Sequence, residues 1–236
     1  MDSQLQLLID LQELDTRISA LEREATQLPK EIAAVHATIE HARADLESAR
    51  ARFETTRKSI RTKEKDLEFL AAKRAKSEGR LYEVKTNKEY SAVLVEIDEL
   101  KGEKSRMEEE ILLLMEAQER IGADMRTAGA QLEASESQGT KDEAAIRERL
   151  RIVEADLAGL RADRAEQAVK IPPPLLADYD KLLRVRAGLA LAEALPSQTC
   201  AGCRMTIRPQ ALMEVRAQTR LVTCESCGRY LYWRDA

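Results

Sequence analysis

From Leu7 onward, apolar residues recur alternately four and three positions apart over many turns. The series runs Leu7, Leu11, Leu14, Ile18, Leu21, Ala25, Leu28, Ile32, Val35, Ile39, Ala42, Leu46, Ala49, Phe53, Thr56, Ile60, Lys63, Leu67, Leu70, broken only by Thr56 and Lys63. A sustained period of about 3.5 residues keeps one stripe facing a partner helix, so the spacing predicts a coiled coil. A second series, Tyr90, Val93, Ile97, Leu100, Lys104, Met107, Ile111, Leu114, Gln118, Ile121, Met125, Ala128, Leu132, fades across residues 135–140. It resumes one position out of phase as Ile146, Leu150, Val153, Leu157, Leu160, the slip that a four-residue stutter produces. Ser3 with Gln6, and Thr86 with Glu89, have capping-box spacing at the two helix starts. Gly79 is the expected stop of the first helix, because glycine takes the left-handed C-terminal position without strain.

Two such helices joined near residues 79–86 predict an antiparallel hairpin over 1–171. A turn centred near residue 82 or 83 sets Pro29 opposite about residue 136. An interior proline costs ~3 kcal/mol unless the helix bends, so a bend is expected near 29/136. Charge fits the same pairing: residues 57–88 carry eleven Lys/Arg and five Asp/Glu, and residues 89–119 carry ten Asp/Glu and three Lys/Arg. Flanking charges of this kind fix register. Lys73, Arg74, Lys76, Arg80, Lys85 and Lys88 could equally form a basic tip for phosphate or an acidic partner. The seam needs Ile111 and Leu114 but not Leu112 and Leu113, which are therefore candidates for docking or self-association.

Helical periodicity ends at Ile171-Pro172-Pro173-Pro174, and 172–195 reads as a linker with a short helix packed near Leu8 and Ile9. The last part, 196–236, holds all four cysteines as Cys200-Ala-Gly-Cys203 and Cys224-Glu-Ser-Cys227, twenty residues apart. Two Cys-x-x-Cys turns at this distance complete a tetrahedron of thiolates, so one structural zinc ion is expected on Cys200, Cys203, Cys224 and Cys227. Disulfides do not suit a cytoplasmic chain, and a redox Cys-x-x-Cys lacks its βαβ setting here. Residues 205–207, 221–223 and 230–233 read as short strands. Six arginines with no lysine, including Arg208 and Arg229, accompany Tyr230, Tyr232 and Trp233. That combination suits either nucleic-acid contact or a small core docked on the helical base.

Composition narrows the function. Charged residues make up 34% of the chain and aromatics only 3%, a poor supply for an aromatic-lined catalytic pocket. A net charge of -4 gives no bulk attraction to nucleic acid, so any such binding needs a local patch. No apolar run approaches the ~20 residues of a membrane span, and the polar N-terminus does not read as a signal peptide. The expected setting is the cytoplasm. Four cysteines close a zinc site to substrate, and His36 and His41, five residues apart, do not share a helix face. The chain is expected not to be an enzyme and to take no small-molecule substrate.

The sequence resembles a bacterial family that joins a long coiled-coil hairpin to a C-terminal C4-type zinc ribbon. The likeness runs over essentially the full length. It is carried by Cys200-Ala-Gly-Cys203, Arg208-Pro209-Gln210, Glu214, the run from Leu221 to Trp233, the segment Val84-Lys85-Thr86-Asn87-Lys88-Glu89-Tyr90, and Ile171-Pro172-Pro173. The resemblance implies a mostly α fold, a kinked antiparallel hairpin with a small β ribbon at its base. Two roles are expected, the first from Leu112 and Leu113, the tip segment and the closed zinc site, the second from the basic side chains. The first is an adaptor or chaperone-like regulator binding a protein, with the nitrogen-type alternative sigma factor or another transcription or flagellar-expression component as the implied partner. The second is a regulator binding nucleic acid, RNA before DNA, through the basic tip and ribbon arginines.

Overall fold

A computed structural model describes residues 3–234. Helix α1 spans Ser3–Arg80 and helix α2 spans Asn87–Val169, followed by α3 (Pro173–Val185), β1 (Leu191–Glu193), α4 (Pro209–Ala217), β2 (Val222–Thr223) and β3 (Tyr230–Tyr232). The fold is mostly α, a long helical hairpin with a small C-terminal strand region. Every residue of the first apolar series is buried or half-buried, and in the second only Tyr90 is exposed. The period of the sequence is thus the period of the seam.

The chain divides into two compact units, Met1–Ile32 with Glu143–Ala236, and Ala33–Asp142. In the second unit the helices pair antiparallel, with Arg43 donating to Glu136 (3.1 Å), Lys63 paired to Glu110, and Ser77 donating to Glu96 (3.0 Å). Leu46, Ala49, Ile60, Val93, Ile97, Leu100 and Ile111 are buried along its seam. Gly139 is buried too, and a Cβ there would lie 2.7 Å from Ile39 Cδ1 and 3.1 Å from Val35 Cγ1. The fading of the apolar series at 135–140 therefore marks a close approach of side chains to bare backbone, and α2 continues through it. Asp142 and Glu143 are both half-buried after Gly139, so the seam changes phase between Gly139 and Leu150, as a stutter does.

Two expectations about the hairpin are corrected. Gly79 does not end α1 in a left-handed conformation; the helix passes it to Arg80. Backbone N–H groups of Leu81, Tyr82, Glu83 and Val84 then donate to carbonyls three or four residues back. These added turns lengthen the first arm, and the Ser77–Glu96 and Lys63–Glu110 pairs are both centred between residues 86 and 87, later than 82 or 83. Glu136 lies against Arg43, not at the level of Pro29. Leu28 instead clusters with Ile146, Val153 and Leu157. Helix α1 is continuous through Pro29. The Thr86–Glu89 capping box forms as expected: Thr86 N and Oγ1 donate to Glu89 Oε2 (3.2 and 2.9 Å), and Glu89 N donates to Thr86 Oγ1 (3.3 Å). At the other helix start, Gln6 donates to Asp10 at 2.7 Å.

In the first unit, Leu5, Leu8 and Leu11 of α1 form one core with Ile171, Tyr179 of α3, Ala190, Leu191 and Tyr230. Helix α3 thus packs on the residues foreseen for it, Leu8 and the half-buried Ile9. The sheet order is β1-β3-β2, with β1 parallel to β3 (Leu191↔Tyr230) and β2 antiparallel to it (Thr223↔Tyr230). Strand β1 falls inside the stretch read as linker and short helix. The expected strand at 205–207 reduces to a bridge between Thr199 and Thr206, because Pro209 starts α4 shortly afterwards. A proline at the first helical position loses no hydrogen bond. Helix α4 was not foreseen; it buries Leu212 and Val215 in the ribbon core.

Candidate functional site

The four cysteine sulfurs lie within 4.8 Å of one another. Cys200 Sγ is 3.9 Å from Cys227 Sγ, and Cys203 Sγ is 3.7 Å from Cys224 Sγ. A disulfide needs about 2.05 Å, so none is formed. A tetrahedron of sulfurs at about 2.3 Å from zinc has edges of roughly 3.8 Å. The donor set therefore fits one structural zinc ion with every coordination position filled by protein.

Local turns set this geometry. Arg204 N donates to Cys200 O (2.7 Å), and Gly228 N donates to Cys224 O (2.7 Å). Gly228 has φ +76°, which glycine adopts freely; in the first turn it is Arg204 that has the positive φ of 62°. Gly202 serves a different need. A Cβ on it would sit 2.8 Å from Arg229 Cδ and 3.1 Å from Ala192 Cβ, so the first turn packs through that gap. Burial pushes the Cys200 thiol up to about 12, and burial also raises Cys224. Burial opposes ionisation at Cys227 as well, but hydrogen bonds from the Arg229 main chain and side chain and from Cys203 and Cys224 outweigh it, bringing that thiol down to about 7. Four clustered thiols cannot all ionise together without a compensating cation, which is what zinc supplies when bound.

The ribbon arginines are largely committed to the fold. Arg229 donates to Leu189 O (2.7 Å) and Arg186 O (3.1 Å), joining the second cysteine turn to the segment after α3. Arg208 pairs with Glu225 (2.7 Å) and Arg220 with Glu214 (2.5 Å), while Arg216 lies over Trp233 at 4.2 Å. Tyr230 is buried and its hydroxyl donates to Asp178 (2.7 Å). Trp233 packs on the ribbon core and Tyr232 on the base. The aromatics are thus core and docking residues.

The tip is different. Lys73, Lys76, Lys85 and Lys88 are exposed, with no ion pair among the described residues. Arg74 lies 3.2 Å from Glu78 without an aligned hydrogen bond from its Nε, and Arg80 pairs with Glu96 (3.4 Å). Leu112 and Leu113 are 61% and 58% exposed, with Met115 exposed beside them.

The sequence pattern did not reveal a polar network in the base. Arg164 donates to both oxygens of Asp15 (2.9 and 3.4 Å) and to Asp180 (2.5 Å), and Tyr179 donates to Asp15 (2.8 Å). Gln12 bonds the main chain of residues 188–191. Asp15 directly follows the seam leucine Leu14, and only the presence of a charge beside an apolar stripe could have hinted at it.

Residues 11–187 match the model of the CT398-like coiled-coil hairpin domain, and residues 199–231 match that of the C4-type zinc ribbon domain. The chain is similar in structure to CT398 from Chlamydia trachomatis, with a TM-score of 0.82, 26% identity, and coverage of 98% of both chains. The HP0958 protein from Helicobacter pylori superposes at TM-score 0.69 with 19% identity, covering 100% of this chain and 99% of that one. A protein from Mycobacterium smegmatis does so at 0.69 with 18% identity, covering 97% of each. No curated protein matches. A hairpin seam, a closed site of four cysteines and these likenesses agree: the chain belongs to the CT398-like coiled-coil hairpin family, with a C4-type zinc ribbon at its C-terminal end.

Proposed function

We propose that the protein is a non-enzymatic adaptor, acting in the cytoplasm, whose hairpin holds a protein partner while the zinc ribbon completes its base. The observation that carries this reading is the exposure of Leu112, Leu113 and Met115 on a helix whose seam is already filled by Ile111 and Leu114. Apolar side chains that neither the hairpin nor the ribbon uses are available for a partner. A four-cysteine site with no open position supports a structural role for zinc. The partner class placed first is the nitrogen-type alternative sigma factor or another transcription or flagellar-expression component, as the family resemblance implies.

A specific observation also favours a second reading, RNA binding: Lys73, Lys76, Lys85 and Lys88 are exposed and unpaired among the described residues, with Tyr82 between them in sequence. In-cell crosslinking of tagged protein, with capture split by nuclease treatment, separates the two. A protein partner that survives nuclease is the expected result. Recovery of RNA alone, with protein partners lost on nuclease treatment, would favour the second reading over the first.

A further inference from the structure

The hairpin tip combines two properties that the seam does not require. From Lys73 to Val95 the chain carries six cations and three acids. The acids are mostly used internally: Glu78 lies beside Arg74, and Glu89 caps α2. Just beyond, Glu96 holds Ser77 and Arg80. Lys73, Lys76, Lys85 and Lys88 are left facing solvent without a countercharge among the described residues. Among them stand large apolar side chains: Tyr82 is 93% exposed, and Tyr90, Leu94 and Val95 are exposed as well.

Helix geometry arranges these groups. None of residues 87–92 is buried or half-buried, so the start of α2 presents several faces to solvent. Tyr90 and Leu94 are one turn apart on one face; Lys88 and Val95 are two turns apart on another, about 130° around the helix. Tyr82 and Lys85 lie in the connection between the helices. Phosphate binding would account for the lysines but gives no use to Leu94 and Val95. An acidic protein segment with an apolar face accounts for both sets.

We propose that the tip docks an acidic amphipathic segment of a partner protein, with Tyr82, Tyr90, Leu94 and Val95 taking its apolar side chains and Lys73, Lys76, Lys85 and Lys88 its carboxylates. This deepens the adaptor reading and rests on it. The test uses the full chain, zinc-loaded, and a labelled helical peptide with leucines at i, i+3, i+4 and i+7 and glutamates elsewhere. Its counterpart replaces each glutamate with lysine, and a single-stranded RNA serves as the third probe. Fluorescence anisotropy should show the acidic peptide bound in preference to the other two. Two double variants, Lys85→Glu with Lys88→Glu and Tyr82→Ser with Leu94→Ser, should each weaken it about tenfold or more. Circular dichroism should show both variants as helical as the parent.

Equal affinity for the acidic and basic peptides, or parental affinity in either double variant, would overturn the proposal. RNA binding lost only in the lysine variant would overturn it in favour of phosphate recognition. Capture of protein partners from cells by both double variants separates the two levels of the account. If capture persists while the peptide fails, the tip proposal falls and the adaptor stands. If the parent captures no protein partner, the adaptor reading falls as well.

Discussion

The main-chain N–H of Ala190 donates to the side-chain oxygen of Gln12 at 2.7 Å, linking the first helix to the residue before the ribbon's first strand. The same oxygen accepts from Leu191 N (3.2 Å), and the Gln12 amide donates to Gly188 O (3.0 Å). Gln12 is only 8% exposed, so these partners stand in for water. Leaving buried donors and acceptors unpaired costs about 1–3 kcal/mol each. Gln12→Leu should therefore lower the stability of the base and speed amide exchange at residues 190 and 191, while zinc stoichiometry stays unchanged. Exchange at parental rates would show that the contact does not hold the strand.

Zinc removal should act on the ribbon alone. The ribbon core consists of three of the cysteines with Ala192, Ala194, Ile207, Leu212, Val215 and Leu231, too few residues for stability without the metal. Structural zinc contributes on the order of 10 kcal/mol or more in such modules. A chelator should abolish ribbon tertiary signals and leave the helical signal of α1 and α2 nearly intact. Loss of both together would contradict independent stability of the hairpin.

Arg229 distinguishes a structural from a nucleic-acid role in the ribbon. Its guanidinium holds two main-chain carbonyls and packs against Gly202. Arg229→Lys keeps the charge but cannot make the same fork of bonds. We expect it to destabilise the ribbon by about 1–3 kcal/mol, seen as zinc release at a lower chelator concentration. Unchanged zinc retention would make Arg229 a surface cation again, open to nucleic acid.

The hairpin seam was legible because its signal is periodic: apolar residues every 3.5 positions need no knowledge of what lies opposite. The metal site was legible because its ligands come in closely spaced pairs. The missed features are aperiodic. Gln12, Asp15 and Arg164 find partners more than a hundred residues away, and nothing local announces that pairing. Strand β1 is three residues long and gains its identity from β3, not from its own pattern. Gly79 misled because a glycine near a turn looks like a stop, whereas the chain kept helical bonding past it.

Two glycines of α2 should respond in opposite directions. Gly129 has nothing within 4 Å of the position a Cβ would take, so Gly129→Ala should stabilise the helix by roughly 0.5–1 kcal/mol. Gly139 faces Ile39 and Val35 at close range, and Gly139→Leu should destabilise by about 1–3 kcal/mol through overpacking. Thermal melts of the two variants check both signs.

The base should weaken at alkaline pH. Burial holds the Tyr179 and Tyr230 phenols well above their ordinary value, with Asp15 and Asp178 adding to the shift. Their raised folded values mean that the stabilisation is complete below about pH 10, where unfolded tyrosine ionises. It is lost progressively as pH rises from there towards the folded values. Tyr179→Phe should make this decline shallower; an unaltered slope would mean that the phenol is not coupled to folding.

A photocrosslinking side chain placed at Leu112 in the full-length protein, activated in living cells, tests the adaptor account most directly. The account predicts a discrete protein adduct that survives nuclease and is absent when the probe replaces a seam residue such as Leu100. A nuclease-sensitive adduct, or none above the Leu100 control, would contradict it.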